Sequence, residues 1–310
     1  MNPDKQSGEY KDSDTISDLD KTEPALPPSK RKMDVQVEFG ALSHQGKVRT
    51  NNEDSYLAVK LSRNITPVLT NVPDKYLPVP FEENGYGMVV ADGMGGQAAG
   101  EVASRTAIQV LMNLTTKAPK WTLKLEDDEA KELMAQGINF YKKIDYKLSE
   151  QAKTNPRLSG MGTTMTGTYS VGRNLFIVYV GDSRAYLFRD GKLYQITRDQ
   201  TVAQALADTG QITESEISKH PLRHMLTNAM GSRDGDVVAE IQQLRLADGD
   251  RVLLCSDGLT EMVSDEAIAD VLARIPASAD ACQALVELAL EKGGKDNVTV
   301  VMARYSITVA

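Results

Sequence analysis

The sequence predicts an α+β layered sandwich built on hairpin-linked strands, as opposed to an alternating βαβ fold. Strand and helix patterns come in groups, in the order strands, two helices, strands, two helices, strand. Gly172-Arg173-Asn174 and Arg189-Asp190-Gly191 are tight-turn signals within the middle group, so its adjacent strands are expected as antiparallel hairpins. The helical patterns fall in pairs, one pair before the middle strands and one after them.

Residues 1–33 are rich in Asp, Lys, Ser and Pro and end in the basic run Lys30-Arg31-Lys32. They hold too little apolar surface to order themselves, so a disordered tail is expected, with docking or a membrane-surface role as the alternative for the basic run. The folded domain is expected over 34–307. Val35, Val37, Phe39 and Ala41 alternate with polar residues, as in a half-buried strand. Strands follow at 55–60 and 86–91. Between them, residues 61–84, with Pro67, Pro73, Pro78 and Pro80, read as an irregular insertion. The pattern over 99–114 is amphipathic, with Val102, Ile108, Leu111 and Leu114 near one face, and 126–153 forms a second helix with its acids in front. Strands are expected at 163–171, 174–180, 184–189 and 192–197. Residues 200–235 carry only short helical pieces with weak apolar patterning. Strands resume at 237–244 and 251–256. Two helices N-capped by Ser264 and Ser278 follow, the second placing Cys282, Leu285, Val286 and Ala289 on one side. A strand at 298–305 closes the domain.

Composition narrows the function. Lys and Arg number 35 against 43 Asp and Glu, a net charge of −8 that argues against nucleic acid as a partner. Cys255 lies in an apolar run and Cys282 on an amphipathic helix, so both read as buried thiols of a reducing compartment, without a zinc-site spacing. The N-terminus lacks an apolar signal segment, and the longest apolar stretch, 175–180, is too short to span a bilayer. A cytoplasmic protein is expected.

Acidic motifs carry the chemistry. Asn51-Asn52-Glu53-Asp54, Ala91-Asp92-Gly93-Met94-Gly95-Gly96, Ser256-Asp257-Gly258 and Lys295-Asp296-Asn297 each sit where an apolar strand runs into a turn. Any one Asp-Gly there reads as an ordinary turn. Four together make that reading weak, because carboxylates at the ends of buried strands are costly unless something positive neutralises them. No comparable basic set accompanies them, which points to a metal. Glycines at 93, 95 and 96 allow close backbone approach, and a glycine carbonyl can add an oxygen ligand. Oxygen-only donors select Mg²⁺ or Mn²⁺, and none of His44, His220 and His224 shares a metal-ligand spacing with the acids. Two such ions sharing a carboxylate would lower the pKa of a trapped water and clamp an in-line displacement at phosphorus. Arg49 has the fork to hold a phosphate; the alternative is a surface arginine on a loop.

Gly46-Lys47-Val48-Arg49-Thr50-Asn51-Asn52-Glu53-Asp54, Val90-Ala91-Asp92-Gly93-Met94-Gly95-Gly96, Gly162-Thr163-Thr164, Val180-Gly181-Asp182-Ser183-Arg184, Leu254-Cys255-Ser256-Asp257-Gly258-Leu259 and Gly294-Lys295-Asp296-Asn297-Val298-Thr299 occur in that order. Together they resemble the metal-dependent protein serine/threonine phosphatases of the PPM family (type 2C) in its bacterial form, from about Val35 to Tyr305. The resemblance implies a four-layer α-β-β-α sandwich of two mainly antiparallel sheets flanked by helix pairs. It implies Asp92 bridging two Mn²⁺ or Mg²⁺ ions, the Gly93 carbonyl on one of them, and Asp257 and Asp296 completing the other site. Glu53 and Asp54 would act directly or through water, and Arg49 would hold the substrate phosphate, with Arg49, Asp54 and Asp92 as the catalytic set. Asp182 resembles the acid that recruits a third, weaker metal, helped by Glu261; a hairpin-turn aspartate is the equal alternative.

The implied reaction is direct attack of water on phosphoserine and phosphothreonine in proteins, without a phosphoenzyme. The implied partners are phosphoprotein targets of a serine/threonine kinase, met by a monomer with no membrane span. The rivals are a phosphatase-fold regulatory or binding module without turnover, and a phosphatase for an anti-sigma-factor antagonist or a small phosphoester. Residues 200–235 correspond to the flap of bacterial members. Two departures stand out. Met94 replaces the histidine of many eukaryotic relatives and cannot protonate a leaving alkoxide, which leaves a metal-bound water or another residue; His44 qualifies only by elimination and reads better as structural. The insertion at 61–84 is longer than the resemblance leads one to expect.

Overall fold

The computed structural model describes residues 33–65, 68–69, 81–95, 99–118, 127–231 and 237–309. Residues 1–32 of the expected tail lie outside it. The alternating strand β1 (Met33–His44) pairs antiparallel along its whole length with the closing strand β11 (Val298–Val309). That pair leads a sheet ordered β1-β11-β10-β7-β8, with β7 (Arg184–Arg189), β8 (Lys192–Gln195) and β10 (Arg251–Cys255). The second sheet is ordered β2-β3-β5-β6-β9. Its strands are β2 (Asp54–Ile65), β3 (Phe81–Met94), β5 (Met165–Val171), β6 (Asn174–Val180) and β9 (Glu240–Arg245), and the short β4 (Gly162–Thr163) pairs with the end of β3.

Strand period two sorts the apolar residues into layers. Met88, Val90, Ile177 and Tyr179 of the second sheet meet Leu187, Val252, Leu254 and Val301 of the first in a central core. Val89, Ala91, Val178 and Val180 point the other way, onto helices α1 (Ala99–Thr116) and α2 (Asp127–Thr154). On the opposite outer face, Leu253, Cys255, Val300 and Met302 pack against α6 (Asp265–Arg274) and α7 (Ser278–Glu291). The result is the expected α-β-β-α sandwich. Met88 to Ala91 are thus buried on both sides, each large side chain contributing about 1.5–3 kcal/mol relative to exposure.

Several local expectations change. The ends of the predicted insertion, 61–65 and 81–84, are strand, paired out to Ile65 opposite Phe81. Leu61 packs beside Val171 and Phe176, and Ser62 Oγ donates to Asn84 Oδ1 at 2.7 Å, so the ladder continues past the point where the sequence turns polar. Its four prolines lie outside the described residues. Hairpins form at Gly172 (φ 55°) and at Asp190 and Gly191 (φ 52° and 79°), where left-handed backbone suits tight turns. The strands 174–180 and 184–189 do not pair with each other. β6 lies between β5 and β9, β7 between β10 and β8, and Gly181-Asp182-Ser183 carries the chain from one sheet to the other. A Cβ at Gly181, φ 99°, would stand 2.6 Å from Thr164 Cβ, so the crossover needs glycine.

In α1 the buried stripe is Ala99, Ala103 and Ala107, while Val102, Ile108, Leu111 and Leu114 are half-buried. Small side chains let the helix axis approach the sheet. Ser264 caps α6 as expected, accepting from Ala267 N. Ser278 is the first residue of α7 and not its cap, because its backbone N donates to Glu38 Oε1 at 2.7 Å and its hydroxyl to Glu38 O at 3.2 Å. Both thiols are buried. No helix among the described residues is long and apolar enough to cross a membrane.

Candidate metal centre

One edge of the sandwich gathers the ends of β3, β6 and β10 and the loops before β2 and β11. The β2–β3 ladder sets Asp54 opposite Asp92. Thr163 Oγ1 and Thr164 N both donate to Asp92 O, at 2.8 and 2.9 Å, and Asp92 N donates to Thr164 Oγ1 at 3.2 Å. Gly93 N donates to Glu53 O at 3.2 Å, an oxygen that also accepts from Ser104 Oγ of α1 at 2.6 Å. A Cβ at Gly93 would fall 2.1 Å from Gly100 O, so only glycine fits between β2 and the first turn of α1.

β10 delivers Ser256 and then Asp257, which begins the short helix α5 (Asp257–Thr260). Ser256 Oγ donates to Asp54 Oδ2 at 2.8 Å and accepts from Thr299 N at 3.0 Å. Asn297 staples three segments: its Nδ2 donates to Gln45 O and Asn51 O, both at 2.8 Å, and its Oδ1 accepts from Glu53 N at 2.9 Å. Beside it, Asp296 accepts from Asn297 N at 2.8 Å and from Arg49 Nη2 at 2.6 Å.

Arg49, Asp92, Asp182, Asp257 and Asp296 line one open cleft of about 870 Å³. The four aspartates are half-buried, each reaching the cleft on one side, and Asp54 lies buried behind them. Asp182 arrives at the crossover between the sheets, which replaces the hairpin-turn alternative. Glu53 turns aside: its carboxyl packs against Gly100 and accepts from Asn51 Nδ2 at 3.5 Å, so its tie to Gly93 beside Asp92 runs through its backbone. Met94 is on the lining. His44 is exposed, and its Nδ1 accepts from Gly46 N at 2.9 Å, a loop-shaping bond.

Electrostatically the cluster is frustrated. Burial, then the charges of Asp54, Asp257, Asp182 and Asp296, holds the Asp92 carboxyl well above the usual carboxylate range. Asp257 is raised for the same reasons, with Asp182 and Glu261 as its strongest neighbours. Burial pushes Asp54 up to about 6 and Asp182, also facing Asp199, up to about 7. Burial raises Glu53 too, and the hydrogen bond to Asp296 raises Arg49. Against these acids the described lining offers only Arg49, Lys295 and His224. Asp54 Oδ1 is buried and finds no hydrogen-bond partner. An oxygen-only donor set with an orphaned buried carboxylate oxygen fits hard divalent cations.

His224 is a residue that sequence reasoning missed. It belongs to segment 200–231, tied down by the Thr201–Leu226 and Thr163–Met230 bridges and by Gly231 N donating to Asp145 Oδ1 at 2.7 Å. Its Nδ1 touches Glu261 Oε1. No local spacing announces this contact, because the fold alone brings the segment back over α5. A second cavity, of about 160 Å³, shares no lining residue with this cleft and lies under α1 and α2, with an apolar lining that includes Leu111, Tyr141 and Phe176.

A profile described as Protein phosphatase 2C matches residues 74–291. The chain is 38% identical over 273 residues to the serine/threonine protein phosphatase PstP of Mycobacterium tuberculosis, an overlap of 88% of this chain and 46% of that protein. It thus spans about half the length of that relative. It is 31% identical over 220 residues to the serine/threonine phosphatase stp of Listeria welshimeri, covering 71% of this chain and 84% of the relative. A solved structure of the PstP catalytic domain in complex with two manganese ions superposes with a TM-score of 0.67 at 36% identity, covering 88% of this chain and all of the other.

Proposed function

The chain belongs to the protein phosphatase 2C family, and from that membership we propose that it hydrolyses phosphoserine and phosphothreonine in proteins with two Mn²⁺ or Mg²⁺ ions. The observation that carries the proposal is the convergence of Asp92, Asp182, Asp257 and Asp296 with Arg49 on one cleft. The manganese in the solved relative supports the choice of ion. Asp92 and the Gly93 carbonyl would hold the first ion, with Asp92 shared to a second that Asp257 and Asp296 complete. Asp54 stands behind Asp92 with one oxygen fixed by Ser256 and the other free to face the centre. When bound, the ions supply Lewis-acid charge that acidifies water and neutralises phosphoryl oxygens.

The chain's own residues do the rest. Arg49 is half-exposed at the rim, and its fork is the group that orients the phosphoryl oxygens of an entering ester. Its present partner is Asp296, a carboxylate that would also hold a cation, and Arg49 would then be released to the ester. Met94 has no proton to give the leaving alkoxide, and the Nδ1 of His44 is engaged by Gly46 N.

Finer points belong to the same reading. Asp182 recruits a weaker third ion, Glu53 supports the centre through its backbone and water, and 200–235 selects substrates over the domain 34–307. The protein works in signalling as a cytoplasmic monomer that reverses a serine/threonine kinase; its buried free thiols support a reducing compartment. The test is hydrolysis of a chromogenic phosphate ester and of a phosphothreonine peptide with Mn²⁺, for the natural chain and Asp92→Asn. Turnover should need Mn²⁺ and disappear in the variant. Full activity in excess EDTA, or in Asp92→Asn, refutes the two-ion reading.

A further inference from the structure

A groove of about 420 Å³ runs between α1 and α2 on their solvent side, sharing no lining residue with the acidic cleft. From α1 come Val110, Leu114 and Lys117, on one face at helical spacing, and from α2 come Lys142, Lys143, Tyr146 and Lys147. Lys147 pairs with Glu150 at 2.6 Å. Lys117, Lys142 and Lys143 are exposed and have no ion pair among the described residues. Asp145, the acid amid these lysines in sequence, is buried and accepts from Gly231 N. Val110 and Leu114 are half-buried, and Tyr146 is 66% exposed. A cationic rim around an apolar floor suits an acidic segment that carries a few apolar side chains.

The chain holds such a segment. Asp12-Ser13-Asp14-Thr15-Ile16-Ser17-Asp18-Leu19-Asp20 carries four aspartates, no base, and the apolar pair Ile16 and Leu19. It belongs to residues 1–32, outside those described. Its tether reaches the groove. Tyr86, opposite Lys60 on β2, donates its hydroxyl to Val35 O at 3.0 Å, so the start of β1 lies level with Val59 to Leu61. Leu111 and Thr115 of α1 line one cavity with Val59 and Leu61. The chain therefore enters β1 at the level of the groove, one sheet and one helix layer away, roughly 20 Å. The connection from Asp20 to Met33 can span up to about 45 Å. A tether of this length gives an effective concentration on the order of 1 mM, so even a millimolar docking constant fills the groove about half the time.

We propose that residues 12–20 dock within their own chain in the groove between α1 and α2. The aspartates meet Lys117, Lys142 and Lys143, and Ile16 and Leu19 cover Val110, Leu114 and Tyr146. Docking of this kind joins screened surface charges to a small apolar contact, so it weakens as ionic strength rises.

The experiment uses the full chain with a nitroxide on Ser17→Cys; Cys255 and Cys282 are buried, which directs the label to the new thiol. In amide NMR at low salt, the signals of 110–117 and 142–147 should lose about half their intensity or more. They should recover in about 0.5 M salt and in the double variant Lys142→Glu, Lys143→Glu, whose side chains are exposed. Adding Asp14→Lys and Asp18→Lys to that double variant should bring the loss back. A mixture of nitroxide-bearing chain without isotope and isotope-labelled chain without nitroxide should show no loss. Full intensity in the labelled natural chain, a loss unchanged by the two glutamates, or an equal loss in the mixture, which marks a second copy as the occupant, overturns the proposal.

Discussion

Replacing Asp54 by Asn should stabilise the metal-free protein. Asp54 is 8% exposed, its Oδ1 has no partner, and burial lifts its carboxyl from 3.8 to about 6. At about 1.4 kcal/mol for each tenfold change in proton affinity, keeping this group ionised in the folded state costs about 3 kcal/mol at pH 7.5. The sign follows from proton uptake. Between pH 3.8 and 6 the folded state binds more protons than the unfolded chain, so stability falls as pH rises through that window and the penalty is complete above it. Asparagine removes the charge, keeps an oxygen for Ser256 Oγ, and turns an amide N–H toward carboxylates that can accept it. For a domain of this size the gain corresponds to a midpoint rise of roughly 5 °C. Differential scanning calorimetry in EDTA at pH 7.5 and at pH 4 measures it. The variant should melt higher at pH 7.5, the difference should shrink toward pH 4, and added Mn²⁺ should stabilise the variant less than the natural chain. A lower melting point for Asp54→Asn at pH 7.5 in EDTA, or a difference independent of pH, refutes the view of Asp54 as a buried charge waiting for a cation.

Other outcomes follow from the same geometry. Ser256→Ala strips partners from Asp54 Oδ2 and Thr299 N at once, so it should lower stability by about 2–4 kcal/mol, read as a shifted urea midpoint with an unchanged slope; a midpoint within error of the natural chain contradicts this. Arg49→Ala should cut kcat/KM for a phosphothreonine peptide roughly 10- to 100-fold by removing a charge-assisted phosphate contact. Steady-state kinetics at saturating Mn²⁺ checks it, and an unchanged kcat/KM means Arg49 serves only Asp296.

Legibility differed by the range of the interaction. β1 could be read because Val35, Val37, Phe39 and Ala41 alternate within one strand, and the turns at Gly172 and Gly191 because their backbone demands are local. Ser264 could be read as a cap for the same reason, whereas Ser278 could not, since its hydroxyl answers to Glu38 of a distant strand. The sequence suggests a β6–β7 hairpin that the fold does not form, because two adjacent strands joined by a short loop look alike whether they share a sheet or cross between sheets. The full length of β2 and β3 is not legible locally, because Leu61 is held by Val171 and Phe176, which no window around residue 61 contains.

The sequence by itself determined the residue types of the site: acids with glycines beside them at strand ends, an arginine ahead of the first, and few histidines. Those follow from local chemistry, since strand-end turns and close approach impose their demands on neighbouring residues. Only the tertiary structure decided which acids meet. It brought Asp92, Asp182, Asp257 and Asp296 to one cleft, put Asp54 behind them and turned Glu53 away. It also brought His224 against Glu261, a contact between side chains far apart in the chain. The physical reason is that burial and charge repulsion depend on three-dimensional distance, and distance between strands is set by sheet order and packing, which no local pattern encodes.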